Sequence, residues 1–201
     1  LFTHDLDTGE RHFFGAPKEA DAFLRYDPAG ERLAIVQSKR VAVWSFAEQR
    51  FVWSVSADSY VAWVAWSPNG RLLAVASSSN RDVLLLDAAT GTLRTRFARH
   101  LSDPLQFEFH PAGQWVASTG ADGTLRFWDL RNGLPVLEVD ASGGRALQFS
   151  RDGKQFAAVV GRLQVGIAEF CQSEVFREFQ GTSAGEEHLS GMGSSSNGRF
   201  L

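Results

Sequence analysis

Three residues of the types that form the catalytic site of a serine hydrolase lie close together in the sequence: His100, Ser118 and Asp122. In such an enzyme the histidine takes the proton of the serine hydroxyl, and the aspartate orients the histidine. The site also needs N–H donors that stabilise the oxyanion, and no neighbouring segment suggests such a hole. The three residue types alone therefore do not predict a hydrolase.

Other motifs that could do chemistry are equally weak. Residues 181–185 read G-T-S-A-G, which matches the nucleophile pattern G-x-S-x-G. That pattern requires a strand before it and a helix after it, whereas we expect a loop between repeats here. The glycines of residues 191–198 do not have the spacing of a phosphate-binding loop, and the five His and one Cys have no metal-ligand spacing. We predict no catalytic residue, cofactor or metal in this chain.

Composition gives weak indications of compartment and source. The 201 residues carry a net charge of −3, which gives no reason to expect nucleic acid as a partner. No apolar run approaches the roughly 18 residues that cross a bilayer. Cys171 is the single cysteine, which fits a reducing cytoplasm, although a periplasmic location stays open. Lys18, Lys39 and Lys154 are the only lysines among 20 basic residues, and this preference for Arg suggests a bacterial source.

The elements that carry these residues belong to a repeat of about forty residues. Five turns that end in glycine each open the same pattern, as in S-P-N-G-R-L-L-A and H-P-A-G-Q-W-V-A. These glycines are Gly30, Gly70, Gly113, Gly153 and Gly198. A fixed period of this length indicates one supersecondary unit copied along the chain.

Each copy predicts four short antiparallel strands. In the copy from Ser59 to Phe97 the strands read Y-V-A-W-V-A-W, L-L-A-V-A-S, V-L-L-L-D-A and T-L-R-T-R-F, with polar or glycine turns between them. Such a meander cannot cover both of its apolar faces, but radial stacking of the copies buries them. The fold class is therefore an all-β propeller of four-stranded antiparallel blades.

The predicted blades cover the whole chain as one partial propeller domain. Residues 1–18 form a partial blade, residues 19–57, 58–99, 100–140 and 141–181 form four complete blades, and residues 182–201 begin a truncated one. A five-bladed ring could close if the two ends shared a blade. Because the last strand is cut short, we instead expect a fragment of a larger propeller, seven-bladed or similar.

One strand end points to a family. The third strand of the 100–140 blade ends in Trp128-Asp129, and this pair together with the period resembles the WD-repeat (WD-40) family over essentially the whole chain. In that family a His, a Ser or Thr, an Asp and the Trp form a hydrogen-bonded tetrad. Matched by position, the resemblance implies that His100, Ser118, Asp122 and Trp128 form it here. The buried indole N–H would gain an acceptor in this way.

The other blades depart from that pattern. The His position holds Pro17, Ala57 and Asp140; the Asp position holds Ser38, Asn80 and Arg162; the Trp position holds His4, Leu86 and Ala168. Trp63, Trp66 and Trp115 are expected in the core, and Trp53 either packs against a neighbouring blade or is a stacking residue.

The resemblance also implies a function. Members of the family bind protein or peptide through loops on one face and bring partners together without catalysis. The candidate binding residues on those loops are Lys39, Arg40, Tyr60, Arg81, Asp103 and Arg162. Because the turns between second and third strands are basic, we expect an acidic or phosphorylated partner segment.

Two other functions stay open. The propeller could be a regulatory or sensor module of a larger enzyme, such as a bacterial serine/threonine kinase. The turn S-P-N-G-R-L-L-A also resembles those of periplasmic TolB-like and peptidase-associated propellers. The Trp128-Asp129 pair and the tetrad favour the WD-repeat family.

Overall fold

The structure, a computed structural model, describes residues 2–4, 7–13, 22–77, 81–98, 100–140, 147–160, 164–170 and 176–182. The regular elements within these ranges are strands, numbered β1 to β18 in chain order. The described residues include no helix with the length and hydropathy that a bilayer crossing requires.

The strands form one two-stranded sheet and four four-stranded sheets. The strand pair β1 (Phe2–His4) and β2 (Arg11–Phe13) is antiparallel. The first full blade contains β3 (Ala22–Tyr26), β4 (Arg32–Gln37), β5 (Arg40–Ser45) and β6 (Arg50–Ser56). The second contains β7 (Val61–Trp66), β8 (Leu72–Ser77), β9 (Asp82–Asp87) and β10 (Leu93–Ala98). The third contains β11 (Pro104–Phe109), β12 (Trp115–Gly120), β13 (Thr124–Asp129) and β14 (Pro135–Asp140). The fourth contains β15 (Leu147–Phe149), β16 (Gln155–Val160), β17 (Gln164–Phe170) and β18 (Phe176–Thr182).

Each full blade is an antiparallel meander in which consecutive strands pair. This confirms the predicted all-β fold of four-stranded antiparallel blades. The proposed truncated blade falls almost entirely on residues 183–201, outside the described part of the chain. The blade boundaries stay a prediction.

Glycine makes the turn between the first two strands of every full blade. Gly30, Gly70, Gly113 and Gly153 have φ of 73°, 66°, 70° and 71°, a conformation that residues with a Cβ rarely adopt. The N–H of each glycine donates to the carbonyl oxygen three residues earlier, over 2.7 to 3.0 Å. The repeated glycine thus fixes the angle at which the second strand returns. Gly198 lies outside the described residues.

The hydrophobic core lies between blades as well as within them. One cluster joins Val36 and Val43 of the first blade to Val64 and Leu86 of the second. Trp53, on the outer strand β6, belongs to this cluster, and its Nε1 donates to the Ala88 carbonyl of the next blade over 2.9 Å. Trp53 therefore packs against the neighbouring blade, which is one of the two roles expected for it.

The turns lie on two opposite faces. On the upper face, turns between second and third strands contact the loops that lead into first strands: Ala57 N–H donates to Lys39 O (2.6 Å), and Ala121 N–H donates to Asp103 O (2.8 Å). The lower face combines the glycine turns with the turns between third and fourth strands, as in the bond from Ala88 N–H to Arg71 O (2.9 Å).

Candidate functional site

The structure brings the four tetrad side chains into one hydrogen-bonded chain in the third blade. Trp128 Nε1 donates to Ser118 Oγ over 2.8 Å, and Ser118 Oγ lies 2.7 Å from His100 Nε2. His100 Nδ1 in turn lies 3.2 Å from an oxygen of Asp122. The tetrad links the second strand, the third strand, the turn between them and the loop before the first strand.

The partners of His100 indicate its protonation state. Nδ1 faces a carboxylate and so carries the proton of the neutral ring, while Nε2 accepts the Ser118 hydroxyl proton. Burial lowers the pKa of His100, and the nearby Asp122 carboxylate opposes that effect only in part. A second ring proton would leave the Ser118 hydroxyl without its acceptor. The network therefore favours neutral His100.

Asp122 is the best-connected member of the tetrad. Its carboxylate accepts the Leu101 N–H over 2.6 Å and, in its own turn, the Thr124 N–H over 3.1 Å and the Thr124 hydroxyl over 2.7 Å. Burial by itself would raise the pKa of Asp122, but these hydrogen bonds and His100 outweigh it and lower that pKa. Asp122 is thus held as a carboxylate that ties the loop before β11 to the turn after β12.

The same contacts exclude the tetrad as a hydrolytic site. Ser118, His100 and Asp122 have the connectivity of a catalytic triad, but Ser118 is fully buried and its oxygen already accepts the indole N–H. Trp128 is 1% exposed and stacks on Phe97 of the preceding blade, with ring centroids 5.3 Å apart. A substrate therefore has no route to the serine oxygen. The hydrogen bonds hold the strands and turns of the third blade together, and the stacking of Trp128 on Phe97 adds a contact with the second blade.

Sequence reasoning missed three residues around the tetrad. A Cβ at Gly120 would overlap both the His100 ring and the Asp122 carboxylate, so only glycine fits there. Thr124 caps the Asp122 carboxylate. Arg126 is buried with Nη2 placed 3.2 Å from Glu138 and 3.8 Å from Asp122. The sequence A-D-G-T after Gly120 resembles an ordinary turn, so it gave no sign of this close approach.

The upper face carries most of the predicted binding residues. Lys39 is exposed, and its Nζ lies 3.4 Å from the Asp58 carbonyl oxygen of the adjacent loop. Arg81 is exposed and makes no hydrogen bond or ion pair with a described residue. Tyr60 is half exposed, and Asp103 is exposed. Arg162 lies outside the described residues.

Arg40 points elsewhere. Its Nε donates to Ser54 Oγ on the outer strand β6 over 2.6 Å, so its guanidinium lies along the blade. The structure therefore does not group it with Lys39 by any described contact.

A groove runs along the first strands of all four full blades. It encloses about 640 Å³, and the residues that shape it include Arg25, Trp63, Gln106, Glu108 and Gln148. Pro28 and Pro68, both in glycine turns of the lower face, also line it. Trp63, expected in the core, is only half buried and faces this groove, whereas Trp66 and Trp128 are buried as expected.

The remaining motifs contribute no site. Gly181 and Thr182 of the G-x-S-x-G match belong to strand β18 and not to the expected loop, and Ser183 lies outside the described residues. Within the described ranges there is no group of three or more His, Cys, Asp or Glu side chains that could hold a metal ion.

The described strands form repeated four-stranded antiparallel blades, and a buried tetrad links two strands and two loops of the third blade. A family model described as "WD domain, G-beta repeat" matches residues 91–129, the stretch that contains all four tetrad residues. A second, "Anaphase-promoting complex subunit 4 WD40 domain", matches residues 24–105. These stretches of the chain are thus similar to WD40-repeat domains.

Curated relatives point the same way. "Transcription initiation factor TFIID subunit 5" of Caenorhabditis elegans is 30% identical over 64% of this chain and 20% of its own length. "Periodic tryptophan protein 2" of Arabidopsis thaliana is 32% identical over 64% of this chain and 15% of its own length. "COMPASS component SWD3" of Saccharomyces cerevisiae is 26% identical over 58% of this chain and 37% of its own length. The chain thus spans a minor part of each relative. All three are eukaryotic, so they lend no support to the expected bacterial source.

Proposed function

We propose that this chain is part of a non-catalytic scaffold that binds protein partners through its upper face. The observation that carries the proposal is the rigid display of that face. Ala57 N–H and Val61 N–H donate to Lys39 O and Ser38 O over 2.6 and 2.8 Å, which fixes the loop before β7 against the turn before β5. Side chains on such fixed loops lose little conformational freedom when a partner binds.

Relatives support a role in assemblies. Their printed names include a subunit of a transcription initiation factor and a component of COMPASS, so chains similar to part of this one are named as members of larger assemblies. Another relative is named as a protein associated with U3 small nucleolar RNA. The net charge of −3 argues against direct contact of this chain with RNA phosphates, and we assign it protein partners.

The partner segment that we propose is acidic or phosphorylated. Lys39 and Arg81 are exposed on the upper face, and an exposed guanidinium can bind a carboxylate or phosphate with two hydrogen bonds. Asp58 and Asp103 lie on the same face. The attraction for an acidic partner segment is therefore limited to the basic turns and does not extend over the whole upper face. Arg162 would add to this set if its turn follows the pattern of the other blades.

A direct test uses immobilised peptides that carry phosphoserine, glutamate or serine in one fixed sequence context. We expect the chain to be retained by the first two and not by serine, and the double variant Lys39→Glu/Arg81→Glu to lose retention. The matched control is Arg151→Glu/Lys154→Glu, two exposed basic residues in a lower-face turn. Equal retention of both double variants would contradict the acidic-partner proposal.

Two expectations from the sequence stay proposals: the compartment and the attachment of the propeller to an enzyme. We also propose a cytoplasmic location. A role as a regulatory module of a larger enzyme would use the same upper face. Neither has a specific contact among the described residues in its favour, so the scaffold is the function that the geometry supports best.

A further inference from the structure

We propose that the groove along the first strands is a second binding site, separate from the upper face. It would take a basic side chain, Lys or Arg, from an extended segment of a partner protein, with Glu108 as the counter-charge. The proposal does not depend on the upper-face function, because the two sites share no residue.

The free edges of the first strands explain why side chains line this groove. In each full blade the first strand pairs with only one neighbour, so its other edge carries backbone groups without a strand partner. Side chains of adjacent blades bind some of these groups. Trp63 Nε1 donates to Phe107 O over 3.1 Å, and Gln106 Nε2 donates to Leu147 O over 2.9 Å. The groove wall is thereby fixed from one blade to the next.

Glu108 differs from these hydrogen-bonded side chains, because its carboxylate has no cationic partner within the described part of the chain. It is half buried on β11, and the nearby backbone N–H of Phe149 favours its ionised form and so limits the rise of its pKa. Burial raises its pKa to about 7. Strands β7, β8, β12 and β15, which pack against β11, bring no charged side chain, and on β3 the charged residue is Arg25. A half-buried carboxylate of this kind lacks the ion pair that would compensate its loss of water.

The groove already accommodates one guanidinium on an aromatic face. Arg25 lies over the ring of Trp63 at 4.8 Å from its centroid, and the indole N–H of that tryptophan points to the residue before Glu108. Along the groove, therefore, an aromatic ring is followed on the neighbouring strand by a carboxylate that has no cationic partner among the described residues. A Lys or Arg side chain matches this order, since its stem packs on apolar surface and its head group needs an anion.

A purely structural role for Glu108 makes a different prediction. If the side chain only caps the Phe149 N–H, then the amide oxygen of Gln would do the same, and Glu108→Gln would change no binding property. If the carboxylate receives a cation, Glu108→Gln removes that cation site while the cap remains. This variant therefore separates the two roles without disturbing the fold.

The first test follows the Glu108 carboxyl carbon by NMR in the full chain labelled with ¹³C-glutamate, with Glu108→Gln to assign the signal. The probes are the peptide acetyl-Ser-Gly-Lys-Gly-Ser-amide and the same peptide with norleucine in place of lysine. We expect the lysine peptide to lower the midpoint of the Glu108 titration and the norleucine peptide to leave it unchanged. Equal midpoints with both peptides would overturn the proposal, as would an equal shift at exposed Glu31.

The second test measures the affinity of the lysine peptide at pH 6 and pH 8. With a midpoint near 7, the ionised fraction of Glu108 rises about tenfold over this range, so the affinity should rise about tenfold. The variant Glu108→Gln should bind weakly and equally at both pH values, whereas Glu31→Gln should behave like the parent chain. An affinity that does not depend on pH in the parent chain would contradict a role for Glu108. Loss of upper-face binding would have no effect on either result.

Discussion

Trp128 Nε1 donates a hydrogen bond of 2.8 Å to Ser118 Oγ, the atom that would attack the substrate in a hydrolase. The same oxygen lies 2.7 Å from His100 Nε2, so one buried hydroxyl serves two rings. An arrangement with the connectivity of a catalytic triad is thereby used for cohesion between strands. These hydrogen bonds stabilise the fold because the site is buried. A buried polar group that loses its hydrogen-bond partner raises the free energy of the folded chain.

Removal of the shared hydroxyl should strongly destabilise the chain. Ser118→Ala leaves the Trp128 N–H and His100 Nε2 without partners in a fully buried site, and each unpaired group costs about 1–3 kcal/mol. We expect the free energy of unfolding, measured with urea, to fall by about 2–5 kcal/mol. The matched control is Ser56→Ala, at an exposed position of β6, for which we expect a change within about 0.5 kcal/mol. Similar losses for the two variants would show that the Ser118 hydroxyl contributes no more to the free energy of unfolding than an exposed serine hydroxyl does.

Two glycine substitutions should differ in a way that backbone conformation alone does not predict. Gly113 has φ of 70° with open space around it, so Gly113→Ala costs about 1 kcal/mol through strain. Gly120 is not among the glycines of positive φ, but an added Cβ would overlap His100 and Asp122. We expect Gly120→Ala to lower the free energy of unfolding by at least twice as much as Gly113→Ala. Equal costs in urea titrations would contradict the close approach.

The protonation of His100 should couple stability to pH. Its pKa in the folded chain lies below the ordinary value of 6.5, so in the window below 6.5 the unfolded chain binds a proton that the folded chain does not. Stability is therefore lost as pH falls from 6.5 towards the folded pKa, with a slope of up to about 1.4 kcal/mol per pH unit. Above pH 6.5 this group contributes no pH dependence.

The measurement is the free energy of unfolding from pH 7.5 to 5 for the parent chain and for His100→Gln, taken as a difference. We expect the difference to shrink as pH falls, because only the parent chain loses this contribution. A constant difference across the window, or an NMR midpoint of His100 at or above 6.5, would refute the depressed pKa.

Glu108 should have the opposite effect. Burial raises its pKa from 4.5 to about 7, so between these values the folded chain holds a proton that the unfolded chain releases, and stability falls as pH rises. Partial exposure reduces the cost at pH 8 to about 1–2 kcal/mol. Glu108→Gln should therefore stabilise the chain by that amount at pH 8 and have little effect at pH 4. Destabilisation at pH 8 would show that the carboxylate is needed for folding.

The sequence predicted the elements whose residues repeat. Because glycine at positive φ is required in each first turn, the period of Gly30, Gly70, Gly113 and Gly153 carried enough information to predict four blades. The resemblance carried by Trp128-Asp129 likewise implied the tetrad, and the buried indole N–H has the polar partner that it needs. The glycine turns depend on local backbone conformation, and the tetrad depends on a tryptophan at the end of the third strand. Both can be read from residue types in the sequence.

The groove and its charges could not be predicted in the same way. Glu108 occupies an alternating strand position like many solvent-facing residues, and its environment depends on how strands β7 and β15 flank β11. Trp63 was expected in the core for the same reason, because its strand pattern does not show that the first strand has a free edge. The direction of Arg40 towards Ser54 is likewise a rotamer choice that residue type does not reveal.

The side-chain bonds between blades also set the order in which the molecule can assemble. Trp53, Trp63 and His110 each reach a carbonyl oxygen on the next blade, over separations of 35, 44 and 43 residues. At synthesis rates of about 5–20 residues per second, the acceptor of each such bond leaves the ribosome about 2–9 seconds after its donor. Every blade can therefore dock on its successor while translation continues, and assembly should run from the amino end in steps of one repeat.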